Sequence, residues 1–217
     1  MSFKYILFDL DGTLTDPKEG ITKSVQYALK SFGIDEPDLD KLIPFIGPPL
    51  VESFRDFYGF TPEMQVRGVE KYREYFRNGG IFQNQVLPGV PEMLAQLKHA
   101  GKIISLATSK PEPFARQILE HFSLTSYFDE IVGCGMDESR GTKREVIEEV
   151  FLRLHMGEEE KAEAVMVGDR KHDVLAAKAC GIATVGLTFG YAAEGELEAA
   201  GADVIISSFN ELTQYLL

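Results

Sequence analysis

The stretch Tyr5-Ile6-Leu7-Phe8-Asp9-Leu10-Asp11-Gly12-Thr13-Leu14-Thr15-Asp16 sets an apolar run against two carboxylates and a glycine. Four apolar residues followed by Asp-x-Asp-Gly read as a short buried strand that ends by delivering two acids into a tight turn. Open α/β sheets bind ligands in the crevice beyond the carboxyl ends of their strands, so Asp9 and Asp11 stand where chemistry is expected. Side chains two apart on an extended chain point to the same side, and two carboxylates brought together repel each other unless a cation joins them. Taken alone, the stretch also fits an ordinary turn after a strand, because Asp and Gly are turn formers. The rest of the chain decides between the two.

Beyond Asp16 the pattern becomes helical. Ile21, Val25, Ala28, Leu29 and Phe32 fall on one face with Gly33 as C-cap, and Gly47-Pro48-Pro49 makes a rigid turn. Leu50 to Tyr58 forms a short helix closed by Gly59, and Thr61-Pro62-Glu63 opens another whose apolar stripe is Val66, Val69, Tyr72 and Phe76. After Leu87-Pro88-Gly89 strands and helices alternate. Strands are expected at 102–107, 130–132, 164–167, 182–187 and 204–206. The intervening helices include one opened by the capping box Thr142-x-x-Glu145, with Val146, Ile147, Val150, Phe151 and Leu154 facing the core. Such alternation implies right-handed βαβ units and a parallel sheet. The expected architecture is an α/β core from residues 1–16 and 87–217, interrupted after its first strand by a helical domain, 17–86.

Composition bounds the function. The 217 residues, 44% hydrophobic and 26% charged, are those of a globular protein with ample chain for a core. No apolar run approaches the roughly 20 residues of a membrane span, and Met1-Ser2-Phe3-Lys4-Tyr5 lacks the layout of a signal peptide, so a cytoplasmic protein is expected. Cys134 and Cys180 have no metal-ligand spacing and read as reduced structural thiols. A net charge of −12 argues against binding a nucleic acid polymer or an anionic membrane, which need clustered Lys and Arg. A small phosphorylated metabolite needs only a few local cations and backbone amides, and stays open.

The strand ends repeat the polar theme. The strand at 102–107 runs into Thr108-Ser109-Lys110 and a helix start at Pro111, and a hydroxyl beside free helix N–H groups suits phosphate oxygens. Lys143 falls in the first turn of a helix, where a cation opposes the helix dipole. The strand at 164–167 ends in Gly168-Asp169-Arg170-Lys171-His172-Asp173, two acids four apart that can face one cation, while His172 reads as a surface residue.

In this order, and each at a strand end, these groups resemble the four motifs of the haloacid dehalogenase superfamily, phosphatase branch. The resemblance matches Asp9 and Asp11 to the first motif, Thr108 to the second, Lys143 to the third, and Asp169 and Asp173 to the fourth. It implies a Rossmann-like core, and the helical insert looks like that family's small cap, expected to close over the site, so the resemblance spans essentially the whole chain. Lys143 is followed by Arg144 rather than the proline common in relatives, which leaves Arg140 and Arg144 as alternative bases for the third motif.

What the resemblance implies is an enzyme in which Asp9 is the nucleophile and Asp11 the acid and base. It implies Mg²⁺ held by Asp9, the Asp11 carbonyl, Asp169 and, through water, Asp173. Phosphate is expected on Gly12, Thr108, Ser109 and Lys143. The loop from Phe45 to Leu50, including Gly47 and Pro48, together with Arg55 and Tyr72, is expected to face the crevice and contact substrate. Asp11 speaks against the dehalogenases, which typically lack the second acid. Pro17, Ile21 and Leu50 stand where sugar phosphomutases carry threonine, histidine and arginine. A non-catalytic relative would usually have lost a motif acid, and none is lost. The chain looks like the phosphoglycolate phosphatase and 5′-nucleotidase-like members.

Overall fold

In a computed structural model of the protein, residues 3–136 and 139–217 are described. The chain divides into two compact units, Met1–Thr15 with Val86–Leu217 and Asp16–Gln85. The first is built on a six-stranded parallel sheet. Its strands are β1 (Tyr5–Phe8), β4 (Ile103–Pro111), β5 (Glu130–Cys134), β6 (Ala164–Gly168), β7 (Ala183–Leu187) and β8 (Val204–Ile206), in the order β5-β4-β1-β6-β7-β8. The two short strands β2 (Thr15–Asp16) and β3 (Gln85–Val86) pair with each other where the chain passes between units.

The run at 5–8 is apolar without alternation because β1 is central and buried on both faces. Phe8 pairs with Leu106 of β4 on one side and Val167 of β6 on the other. The chain winds outward through β4 and β5, then returns to the far side of β1 and winds the other way, so the direction of winding reverses beside β1. All six strands are parallel, hence Asp9, Thr108 and Asp169 emerge at one edge of the sheet.

On one face, Tyr5, Leu7, Ala107, Val132, Ala164 and Met166 pack against Val146, Ile147, Val150 and Phe151 of α6 (Lys143–Arg153) and Ala176 and Ala177 of α8 (Lys171–Ala179). These two helices carry Lys143 and Asp173 in their first turns, so the packing that buries their apolar stripes also fixes both charges. The capping box expected at Thr142 and Glu145 opens α6.

The second unit consists of α1 (Lys18–Lys30), a 3₁₀ segment Leu39–Phe45, α2 (Leu50–Tyr58), α3 (Pro62–Arg77) and a turn at Gly80–Phe82. Its interior is aromatic. Phe54 stacks on Phe60 at 5.2 Å, Phe45 meets Phe54 edge-on, and Phe32 touches Phe60. The remaining helices, α4 (Val90–His99), α5 (Glu112–His121), α7 (Glu158–Ala162), α9 (Glu196–Ala200) and α10 (Phe209–Leu216), belong to the sheet unit.

β4 departs from the sequence expectation. It does not end at Ala107 but continues, after a register shift, to pair Pro111 with Cys134, and α5 opens at Glu112. Lys110 precedes a proline, and the residue before proline is driven into the extended region, which carries the strand past the expected helix start.

Candidate active site

Asp9 follows β1 directly, and its N–H donates to the Val167 carbonyl at 3.0 Å, which registers the acid against β6. The chain then folds on itself. Leu10 O accepts the N–H groups of Thr13, Leu14 and Thr15, and the Gly12 N–H donates to Thr15 O at 2.8 Å. Gly12 has φ +80°, and a Cβ there would run into the Asp169 carboxylate and the Tyr191 ring. Glycine is thus required twice over at this point, by conformation and by space.

Asp9, Asp11, Asp169 and Asp173 are all buried, as are Lys110 and Lys143. Asp169 is held at both oxygens: Thr13 Oγ1 donates to Oδ1 at 3.1 Å and the Tyr191 N–H to Oδ2 at 2.7 Å. Asp173 Oδ2 accepts the Arg170 N–H at 3.1 Å, a cap on the α8 N-terminus. Lys143 Nζ lies 2.8 Å from Asp9 Oδ1 and 2.8 Å from Asp173 Oδ1 while donating to the Ala107 carbonyl at 3.0 Å. Those two carboxylate oxygens are therefore ion-paired, yet neither receives a directed hydrogen bond.

Their charge states follow from this crowding. Burial raises Asp169 to about 8, with the charges of Asp173 and Asp9 adding to the effect. Asp173 is also raised by burial, against the opposing pull of Lys143. Burial works against the Lys143 ammonium, but Asp173 and Asp9 outweigh it and hold the lysine more basic than usual. Asp11 is raised by burial, with Lys110 pulling the other way.

The donor set fits a hard divalent cation. Asp9, Asp169 and Asp173 each offer an oxygen, and the three atoms lie within 4.8 Å of one another. The ligands are all carboxylates, as Mg²⁺ prefers, with no thiol or imidazole among them. When ionised, the four carboxylates against two ammonium groups leave a formal charge of −2 in a buried site, which a divalent ion would neutralise. The ion-paired oxygens of Asp9 and Asp173 have lone pairs to give.

Of the residues marked in the sequence, the structure brings Asp9, Asp169, Asp173 and Lys143 into one cluster, and sets Gly12 against Asp169. Thr108 is buried at the end of the same sheet edge, its Oγ1 accepting the Lys110 N–H at 3.3 Å, and Ser109 is half-buried. Among the three candidate bases, Lys143 reaches the acids. Arg140 instead donates to Gly133 O, and Arg144 pairs with Glu148 on the outside of α6.

Gly47, Pro48 and Arg55 belong to the helical unit. Gly47 and Pro48 are half-buried, and the Arg55 guanidinium is exposed and engaged with its neighbour Asp56. Tyr72, expected at a crevice, is buried and stacks on Phe76, because it lies on the apolar stripe of α3.

Four groups escaped the sequence reading. Lys110 Nζ contacts both oxygens of Asp11, at 2.9 and 2.8 Å. Thr13 and the Tyr191 amide hold Asp169, as above. Glu196, at the start of α9, accepts from Arg170 Nε at 2.9 Å, the Lys171 N–H at 2.9 Å and the Ala193 N–H at 3.2 Å. It thereby ties the turn carrying Asp169 to the loop carrying Tyr191. A strand exit reading Thr188-Phe189-Gly190-Tyr191 was the one signal available, since a Cβ at Gly190 would also strike Asp169.

Comparison with known proteins identifies the family to which this fold belongs. A family model described as haloacid dehalogenase-like hydrolase matches residues 6–187. A 5′-nucleotidase of Pseudomonas aeruginosa is 45% identical over 199 residues, covering 92% of this chain and 89% of that one. The tyrosine-protein kinase PtkA of Mycobacterium tuberculosis is 36% identical over 97% of this chain and 72% of its own length. A crystal structure described as a predicted phosphatase from Clostridium acetobutylicum superimposes with a TM-score of 0.95 at 43% identity, over 100% of this chain and 99% of that one. The family model runs from β1 through β7, and the chain belongs to the haloacid dehalogenase-like hydrolases.

Proposed function

We propose that the protein hydrolyses phosphate monoesters of small metabolites in two steps through a phosphorylated Asp9, and that Mg²⁺ supports both. The observation that carries this reading is the position of Asp9. It is a buried carboxylate at the carboxyl end of the central strand, with Lys143 2.8 Å away and Asp169 and Asp173 facing the same point.

In the first step an Asp9 oxygen attacks phosphorus, the phosphorus–oxygen bond to the leaving group breaks, and Asp11 delivers a proton to the departing oxygen. In the second step water attacks phosphorus, Asp11 takes the proton back, and the acyl phosphate bond breaks to release phosphate and free Asp9. Gly12, Thr108 and Lys143 hold the phosphate oxygens. Phosphoryl transfer depends chiefly on positioning and on spreading charge, and the cation held by Asp9, Asp169 and Asp173 with the Asp11 carbonyl supplies that neutralisation when bound. Resemblance to the 5′-nucleotidase and to phosphoglycolate phosphatases supports small monoesters as substrates.

The test is a panel of nucleoside 5′-phosphates, phosphoglycolate and sugar phosphates assayed with Mg²⁺ and with EDTA. Metal-dependent phosphate release from some of them is expected, and none at all would overturn the reading. A second acceptor deserves its own arm because a relative bears a kinase name. Incubation with a tyrosine-containing peptide and ATP reads transfer to a phenol, and β-glucose 1-phosphate with a trace of the bisphosphate reads transfer to a sugar hydroxyl. Water is the expected acceptor in both, so phosphate release should outrun either product.

A further inference from the structure

Lys110 is a buried ammonium at the end of β4 that touches both oxygens of one carboxylate, Asp11, at 2.9 and 2.8 Å. The carboxyl plane of an aspartate is poorly determined by its own torsion, which is broad and two-fold. Something outside the side chain must set it. Among the described residues, the hydrogen bond to the Asp11 carboxyl comes from Lys110.

Lys110 is itself held in place. Its backbone is driven extended by Pro111, and its N–H donates to Thr108 Oγ1 at 3.3 Å. The other buried lysine, Lys143, is engaged by Asp9, Asp173 and the Ala107 carbonyl. Lys143 thus contacts the nucleophile Asp9, and Lys110 contacts Asp11.

We propose that Lys110 is a positioning residue that aims the Asp11 carboxyl for proton transfer to the leaving oxygen. The inference rests on the reading of Asp11 as acid and base. A proton passes between heavy atoms about 2.6–3.2 Å apart, so a carboxyl free to turn would spend much of its time out of reach. A displacement of about 1 Å in such a group costs on the order of 10²-fold in rate.

The experiment compares two esters that differ in their need for a proton. Glycerol 2-phosphate expels an alkoxide and requires an acid, whereas 2,4-dinitrophenyl phosphate expels a stable phenolate and does not. Values of kcat/KM report the steps up to formation of the phosphoenzyme, and are measured on the full chain with saturating Mg²⁺. For Lys110→Met the account expects a loss of about 10²-fold on glycerol 2-phosphate and less than about threefold on the dinitrophenyl ester, with Lys110→Arg recovering about tenfold of the first.

Equal losses on both esters would overturn the proposal, because they would mean that Lys110 serves the fold or the phosphate group rather than Asp11. Should Lys110→Met lose its near-ultraviolet circular dichroism, Lys110→Gln and Lys110→Arg give the same ratio test. A wild-type protein inert toward both esters would overturn the phosphatase reading and this proposal with it. A wild type active on both, with an unselective loss in the variants, would overturn this proposal alone.

Discussion

The Lys143 ammonium stands 2.8 Å from Asp9 Oδ1 while occupying the first position of α6, where the helix dipole disfavours a cation. Burial disfavours it as well. What keeps the charge there is the pair of carboxylates on Asp9 and Asp173, and the pairing is mutual, since these acids would otherwise repel across a buried space.

Lys143→Met should therefore cost the Mg²⁺-free protein about 3–5 kcal/mol, the usual penalty for breaking a buried ion pair from one side. Urea unfolding in EDTA measures it. Saturating Mg²⁺ should recover part of the loss by neutralising the same acids. A loss of under about 1 kcal/mol in EDTA would show that the lysine is not compensating them.

The Mg²⁺-induced rise in unfolding temperature should grow with pH. Asp169, raised in the fold to about 8 from an ordinary 3.8, keeps its proton while the unfolded chain loses its own. Its contribution to stability is complete below 3.8 and is lost as pH rises through about 8. The Mg²⁺-free protein is penalised at high pH, the bound cation removes that penalty, and binding releases protons. Thermal scans at pH 6 and 8.5, with and without Mg²⁺, give the comparison, and a Mg²⁺ shift that shrinks with pH would contradict the assignment of Asp169.

Glu196→Ala should weaken Mg²⁺ binding by about 10-fold or more, as loss of an outer support commonly does. Glu196 touches none of the three clustered acids, but it bridges Arg170 and Lys171, next to Asp169, to the loop whose Tyr191 N–H holds Asp169. Titration calorimetry reads the affinity directly. At saturating Mg²⁺ kcat should stay near the wild-type value, and an unchanged affinity would show that the clamp is only structural.

What could be read in the sequence was what local chemistry announces. The apolar run Tyr5–Phe8 ending in Asp9 is a central strand because nothing polar interrupts it, and Lys143 follows a Thr142/Glu145 cap that dates the helix start to the residue. Lys110 was hidden because a lysine between Ser109 and Pro111 looks like any solvated loop cation. Its burial comes from the extra residues that β4 pairs with β5. Glu196 was hidden in Glu194-Gly195-Glu196, an acidic stretch that reads as a surface helix start, whereas Arg170, 26 positions earlier, draws it inward. Tyr72 was misread because a tyrosine near a loop suggested a ligand, although its place on the α3 stripe already put it in the interior.

The central claim is that phosphate passes through Asp9. Asp11→Asn should lack the base for the second step and so accumulate the acyl phosphate. The protein would be mixed with Mg²⁺ and 2,4-dinitrophenyl phosphate, quenched in acid within seconds, and treated with borohydride, which reduces an aspartyl phosphate to homoserine that tandem mass spectrometry can locate. The account predicts homoserine at position 9 in Asp11→Asn, less in the faster wild type, and none in Asp9→Asn, which should also lose turnover while remaining folded. Homoserine at another aspartate, or an Asp9→Asn protein that still hydrolyses the ester at more than a few per cent of the wild-type rate, would contradict it.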